Sequence, residues 1–255
     1  MKTGMISTVW YRIGRTLVQA LGRLALRFDV QYHIPLPPGP IILAANHPSM
    51  IDPAILTTLT PSRVNILILD TIFKVPIFGR SLRWCGHIPV VEGNGQAVFV
   101  QASAILKAGG TLAIFPEGVI TSLTSPCQRP RTGVARLALG LGVPVIPVGI
   151  SLDPVFLRHI TTRIAGKKEI ATWYFHGPYA ITVGEPMRFS GDPEDRERVY
   201  QVGEQIMQRV ASLRAESSLR IQTARRPTGL TSYPLRAFWY VLSRSLDILE
   251  GAGSI

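Results

Sequence analysis

PIILAANHPSMIDP, residues 40 to 53, is an apolar run that ends abruptly in polar residues and then in Asp-Pro. An apolar run of this length without alternation is the pattern of a strand buried on both faces. Asp52-Pro53 then reads as a helix start, with Asp as N-cap and Pro at the first helical position. A histidine, His47, and an aspartate, Asp52, therefore stand together where a buried strand ends.

The same alternation continues outward. VNILILD (64 to 70), IPVV (88 to 91), TLAIF (111 to 115) and VPVIPVGI (143 to 150) repeat the buried-strand pattern. Between them, FKVPIFGRSLRWCG (73 to 86), residues 95 to 108 and RTGVARLALGLG (131 to 142) predict helices, the last two ending in glycine. The expected fold class is α/β, a mostly parallel sheet covered by helices on both faces. Functional groups in such sheets gather at the carboxyl ends of strands. FPEG, Phe115 to Gly118, follows another strand in this way, so Glu117 and His47 are expected to meet.

Later in the chain, IATWYFHGP (170 to 178) and AITVGEPM (180 to 187) predict an antiparallel pair. GDPEDRERV opens a helix whose stripe is Val199, Val202, Ile206, Val210 and Leu213. Before the sheet, residues 5 to 28 predict one amphipathic helix. Ile6, Trp10, Ile13, Leu17, Leu21, Leu24 and Phe28 fall on one face, with Arg12, Arg15 and Arg23 opposite. A basic face opposite an apolar face with Trp and Phe suits a membrane interface, and packing on the domain is the alternative. Near the end, Leu235, Phe238, Trp239, Leu242, Leu246 and Leu249 share one side of a last amphipathic segment. The expected organisation is a membrane-association helix over 1–32, a main domain over 33–216 and a C-terminal amphipathic extension over 217–255.

Composition bounds the function classes. The 255 residues are 46% hydrophobic and 17% charged, so the chain folds around a sizeable core. A net charge of +11 implies an anionic partner. The arginines are spread along the chain with no nucleic-acid-binding motif, so a membrane surface or phosphorylated substrate is expected and nucleic acid is not. Cys85 and Cys127 form no disulfide framework and no metal-ligand spacing. Arg12, Arg15 and Arg23 interrupt the first apolar stretch, so it is not expected to be a signal peptide, and no apolar run of roughly 18 residues that would span a bilayer appears. Peripheral or monotopic attachment at the cytoplasmic face of a membrane is expected.

The chemistry follows from what accompanies His47. A neutral imidazole accepts a proton, and a carboxylate on its other nitrogen fixes the tautomer. Asp52 takes that role only if the intervening PSMI turns back, because on a regular helix the two would point about 140° apart. Taken alone, His47 reads equally as a buried structural histidine or a metal ligand, and Asp52 as a plain cap. No G-x-S-x-G elbow, zinc spacing or phosphate-binding glycine loop is present. A base without a protein nucleophile acts on a hydroxyl of the substrate.

NHPSMID followed by FPEG resembles the two signature motifs, NHxxxxD and FPEG, of the glycerolipid acyltransferase family that includes 1-acylglycerol-3-phosphate acyltransferase. VPIFGRSLRWCGHIPV, RTGVARLAL and VPVIPV resemble further family segments in the same order, over roughly residues 40 to 150. The resemblance implies that His47 is the general base and Asp52 its orienter. An acceptor hydroxyl then attacks the thioester of acyl-CoA or acyl-acyl-carrier-protein, which is a co-substrate; no cofactor and no metal is implied. Glu117 and Gly118 match the acceptor-binding motif, and Lys74, Arg131 and Arg136 are the candidates for holding a phosphate. The expected acceptor is a lysolipid, 1-acylglycerol-3-phosphate giving phosphatidic acid. Two positions depart from the family: Glu92 and Ile120 stand where arginine is expected. They leave open a different hydroxyl-bearing lipid, with Arg129 or Arg131 supplying charge, or a non-catalytic lipid-binding protein on the same scaffold.

Overall fold

The structure is a computed structural model that describes residues 2–224 apart from 124, 126, 165 and 166. Helix α1 (Lys2–Leu24) leads into strand β1 (Leu26–Tyr32) and then β2 (Ile41–Ala45). There follow α2 (Asp52–Leu56), β3 (Val64–Leu69), a 3₁₀ turn (Asp70–Lys74), α3 (Phe78–Trp84), β4 (Ile88–Val90), α4 (Gly95–Lys107) and β5 (Thr111–Ile114). The second half holds α5 (Gly133–Leu141), β6 (Val145–Leu152), β7 (Leu157–Ile164), β8 (Lys167–Tyr174), β9 (Gly177–Val183) and α6 (Arg196–Ala224).

Seven strands form one sheet in the order β1-β9-β6-β2-β5-β3-β4, and every neighbouring pair is parallel except β6 with β9. The buried run of β2 explains its central place. Ile41, Leu43 and Ala45 enter a core with Ile51, Ile55 and Leu56 around α2, while Ile42 and Ala44 enter a second core with α4, α5 and α6. Both faces of the sheet are thus covered, which is the expected α/β class. β2, β5 and β3 are parallel neighbours, so the loops after them open along one sheet edge.

Three expectations need correction. The N-terminal helix stops at Leu24, and residues 26–32, expected inside a separate segment, pair as β1 with Gly177–Val183 of β9. Leu26, Phe28 and Val30 recur with a period of two and meet the core, so the strand period prevails there over the helical one. The antiparallel partner of β8 is its predecessor β7, while β9 lies between β1 and β6. The boundary expected after residue 216 falls inside α6, which continues to Ala224 with Ser217 donating to the Gly149 carbonyl and Ile221 buried. The amphipathic segment from residue 235 onward lies outside the described residues.

Helix α1 docks through Tyr11, Arg15 and Val18, on a side next to its apolar stripe. Tyr11 is buried, its hydroxyl accepts the Val64 amide, and Arg15 donates to the Pro61 carbonyl. Trp10, Ile13, Leu17 and Leu24 are exposed, Leu17 at 66% and Leu24 at 74%. The apolar stripe therefore looks away from the domain. Among the described residues, no helix is long and apolar enough to cross a membrane.

Candidate active site

The site begins where β2 ends. Asn46 continues the β2–β6 pairing with its side chain: Nδ2 donates to the Ile150 carbonyl at 2.9 Å, and the Ile150 amide donates to Oδ1 at 2.7 Å. This clamp sets the direction in which His47 leaves the strand. The chain then turns, with the Asp52 amide donating to the Ser49 carbonyl and the Met50 amide to the Thr172 carbonyl of β8. The turn folds Asp52 back beside His47, whose Nδ1 lies 2.9 Å from Asp52 Oδ2. The same Oδ2 accepts the Ser49 amide at 2.7 Å. Asp52 is the first residue of α2, and no side chain caps that helix. The expected N-cap role is thus replaced by an inward one, because the carboxylate is already engaged by the turn.

Asp52 is 0% exposed, and a bare buried carboxylate would be costly. Its second oxygen is satisfied by Tyr179 of β9, whose hydroxyl donates to Oδ1 at 2.6 Å. Burial first, and then the neighbouring Asp52, raise the Tyr179 phenol well above its ordinary range, so it stays a donor. Both oxygens of Asp52 are engaged, and the imidazole is fixed with Nδ1 toward the carboxylate. With its proton on Nδ1, the ring presents Nε2 as the proton acceptor.

The second motif arrives from β5. The Phe115 ring stacks on His47 with centroids 4.1 Å apart and planes inclined by 19°. The Thr121 amide donates to the His47 carbonyl at 2.9 Å. Thr121 Oγ1 also donates to Oε2 of buried Glu117, which accepts the Gln128 amide at 3.0 Å as well. Glu117 Oε1 is buried and meets no donor among the described residues. Gly118 lies at φ +68°, and a Cβ there would meet Arg131 Nε at 2.3 Å. Glycine is needed twice over, for the left-handed backbone and for the Arg131 side chain lying against it.

The structure brings together His47, Asp52, Glu117, Gly118 and Arg131. Lys74 is spent differently: it pairs with Asp70 at 2.9 Å on the exposed 3₁₀ turn. Arg136 pairs with Glu194 and lies over the Phe99 ring. Arg129 covers Tyr200 of α6. Glu92, just beyond β4, is exposed, and Ile120 is half-buried. Sequence reasoning did not find Tyr179 or Thr121. A tyrosine in an otherwise apolar buried strand needs a partner for its hydroxyl, and that was the available signal for Tyr179.

Residues 27–151 match the family model described as Acyltransferase. The chain thus resembles the acyltransferase family over that span. It is 33% identical over 132 residues to the lyso-ornithine lipid O-acyltransferase of Pseudomonas aeruginosa, covering 50% of this chain and 49% of that relative. The chain thus spans about half the length of that curated relative. The fold resembles the crystal structure of the 1-acyl-sn-glycerophosphate acyltransferase of Thermotoga maritima, with a TM-score of 0.53 and 19% identity, covering 88% of this chain and 81% of that one. Within the matched span His47 and Asp52 follow β2 and Glu117 follows β5, so both motifs open on one sheet edge.

Proposed function

We propose that this acyltransferase moves a fatty acyl group from an acyl thioester, acyl-CoA or acyl-acyl-carrier-protein, to the hydroxyl of a lysolipid. The observation that carries the reading is the His47–Asp52 pair, built at a strand end and stacked on Phe115 of the loop that holds Glu117. His47 Nε2 removes the proton as the acceptor oxygen attacks the thioester carbonyl. Asp52 steadies the imidazolium, which returns its proton to the departing thiolate. Glu117 Oε1, buried and unpaired among the described residues, accepts a hydrogen bond from the acceptor, and Arg131 supplies its cationic partner.

With 1-acylglycerol-3-phosphate as acceptor, Arg131 meets the phosphate and the product is phosphatidic acid. A second reading is favoured by Glu92, a carboxylate where this family has arginine, and by the lyso-ornithine lipid named for the curated relative. An ornithine headgroup carries a carboxylate for Arg131 and an amine for Glu92. The outward stripe of α1 supports action at the cytoplasmic face of a membrane, where both lysolipid and thioester are present.

The test is transfer from labelled acyl-CoA and acyl-acyl-carrier-protein to a mixed pool of lysolipids, with products identified by mass spectrometry. His47→Ala lowers the rate by roughly 10²–10⁴-fold. Equal turnover by wild type and His47→Ala refutes the assigned base, and vesicle binding without turnover by the wild type refutes the enzyme.

A further inference from the structure

Beyond β3, the chain makes a turn that nothing in the catalytic site explains. Ile77 lies at φ +62° and ψ −57°. The Phe78 amide donates to the Pro76 carbonyl at 2.6 Å, closing a three-residue γ-turn around Ile77. A γ-turn of this hand is rare and strained, and a β-branched residue at positive φ is an outlier. Glycine would occupy the same conformation without that strain. Nor does α3 leave room for the turn to relax: Gly79 presses so closely on Phe73 that a Cβ would lie 2.0 Å from its carbonyl oxygen.

A strained side chain persists where its contacts outweigh the strain. The Ile77 side chain is 88% exposed, and Val75 and Phe78 beside it are exposed too. The described residues therefore offer the Ile77 side chain little compensating contact. Two observations select a lipid surface. Through Trp84, at the far end of α3, the turn is continuous with the outward stripe of α1: the Trp84 and Trp10 rings lie 5.5 Å apart and Ser7 Oγ donates to the Trp84 carbonyl. Arg80 on α3 is exposed, in a chain of net charge +11, and fits anionic headgroups, while Arg83, also exposed, lies over the Phe73 ring and donates to the Phe73 carbonyl.

We infer that Ile77 and Phe78 insert into the acyl layer of an anionic bilayer, as a second anchor beside α1. The turn leaves β3, the parallel neighbour of β5, and so stands on the sheet edge that carries His47 and Glu117. Inserted there, it brings that edge to the surface where a lysolipid resides. This deepens the interfacial reading above and rests on it.

The experiment sediments the full chain with vesicles of phosphatidylcholine, with and without phosphatidylglycerol. Ile77→Gly is expected to melt at or above the wild-type temperature, because it relieves the strain, yet to partition into anionic vesicles about tenfold more weakly. Phe78→Asp added to it weakens partitioning further, while acyl transfer to a monomeric short-chain lysolipid is unchanged. Wild-type partitioning by the double variant overturns the inference and leaves the interfacial reading standing. A wild type that ignores both vesicle types overturns the two together. A chain that self-associates without lipid, and becomes monomeric on Ile77→Gly, makes the turn a contact between copies and overturns the lipid assignment.

Discussion

Tyr179 Oη donates to Asp52 Oδ1 at 2.6 Å, and the other oxygen of that carboxylate lies 2.9 Å from His47 Nδ1. The base is thus held by a chain of three side chains from β9, the first residue of α2 and the turn after β2. The phenol withdraws charge from Asp52 and limits what the carboxylate gives to the imidazolium. Tyr179→Phe leaves a buried carboxylate oxygen unpaired, and a hydrogen bond to a charged group contributes about 1.5–3 kcal/mol. The expected outcome is a loss of roughly tenfold or more in kcat/KM, carried mainly by kcat. A purely structural tyrosine lowers the melting temperature and leaves kcat/KM, measured well below that temperature, unchanged.

Thr121 joins the two motif loops through its amide on the His47 carbonyl and its hydroxyl on Glu117. Thr121→Val keeps the shape and removes only the second bond. Glu117 then keeps the Gln128 amide alone and swings out of register with the acceptor. The acceptor KM is expected to rise about tenfold or more with a smaller change in kcat, since a bond of this type contributes about 1.5–3 kcal/mol. Steady-state kinetics check this, and Thr121→Ser, which retains the hydroxyl, restores the wild-type KM.

The difference between these two residues and His47 shows what the sequence makes legible. Apolar runs buried on both faces announce a covered parallel sheet, and a strand end is local, so His47, Asp52 and Glu117 could be placed from their own neighbourhoods. Tyr179 reaches Asp52 across 127 residues through the order of β9 and β6, which depends on pairing and not on local pattern. The cations show the same limit. Lys74 and Arg136 have the right charge for a phosphate, yet Asp70 and Glu194 claim them, and no spacing rule reveals such partners. At residues 26–32 two periods overlap, and only pairing with β9 decides for the strand.

Gly118 and Arg131 act as one unit. Gly118→Ala places a non-glycine residue at φ +68° and drives a Cβ to within 2.3 Å of Arg131 Nε, so the guanidinium is displaced. The backbone cost is about 1 kcal/mol, and the melting temperature falls accordingly. Activity is expected to drop as far as in Arg131→Ala. In the double variant the two losses do not add, because the second substitution removes a side chain already displaced. A double-mutant cycle on kcat/KM measures this; additive losses show that Arg131 acts independently of Gly118.

His87 ties stability to pH away from the site. It stands just before β4, and its Nδ1 accepts the Ile66 amide of β3 at 3.3 Å. Burial, and then the Arg63 charge, lower it from the ordinary 6.5 to about 4. The folded chain therefore holds a neutral imidazole that the unfolded chain protonates more readily. Its contribution to stability is fully present above pH 6.5 and is lost as the pH falls from 6.5 through about 4. Over that window the loss is on the order of 3 kcal/mol. His87→Asn keeps an acceptor for the Ile66 amide and cannot titrate. Its melting temperature is expected to fall less steeply than that of the wild type between pH 6.5 and 4, with parallel curves above. Thermal unfolding across that range decides it: equal slopes mean that His87 is solvated and titrates normally in the folded chain.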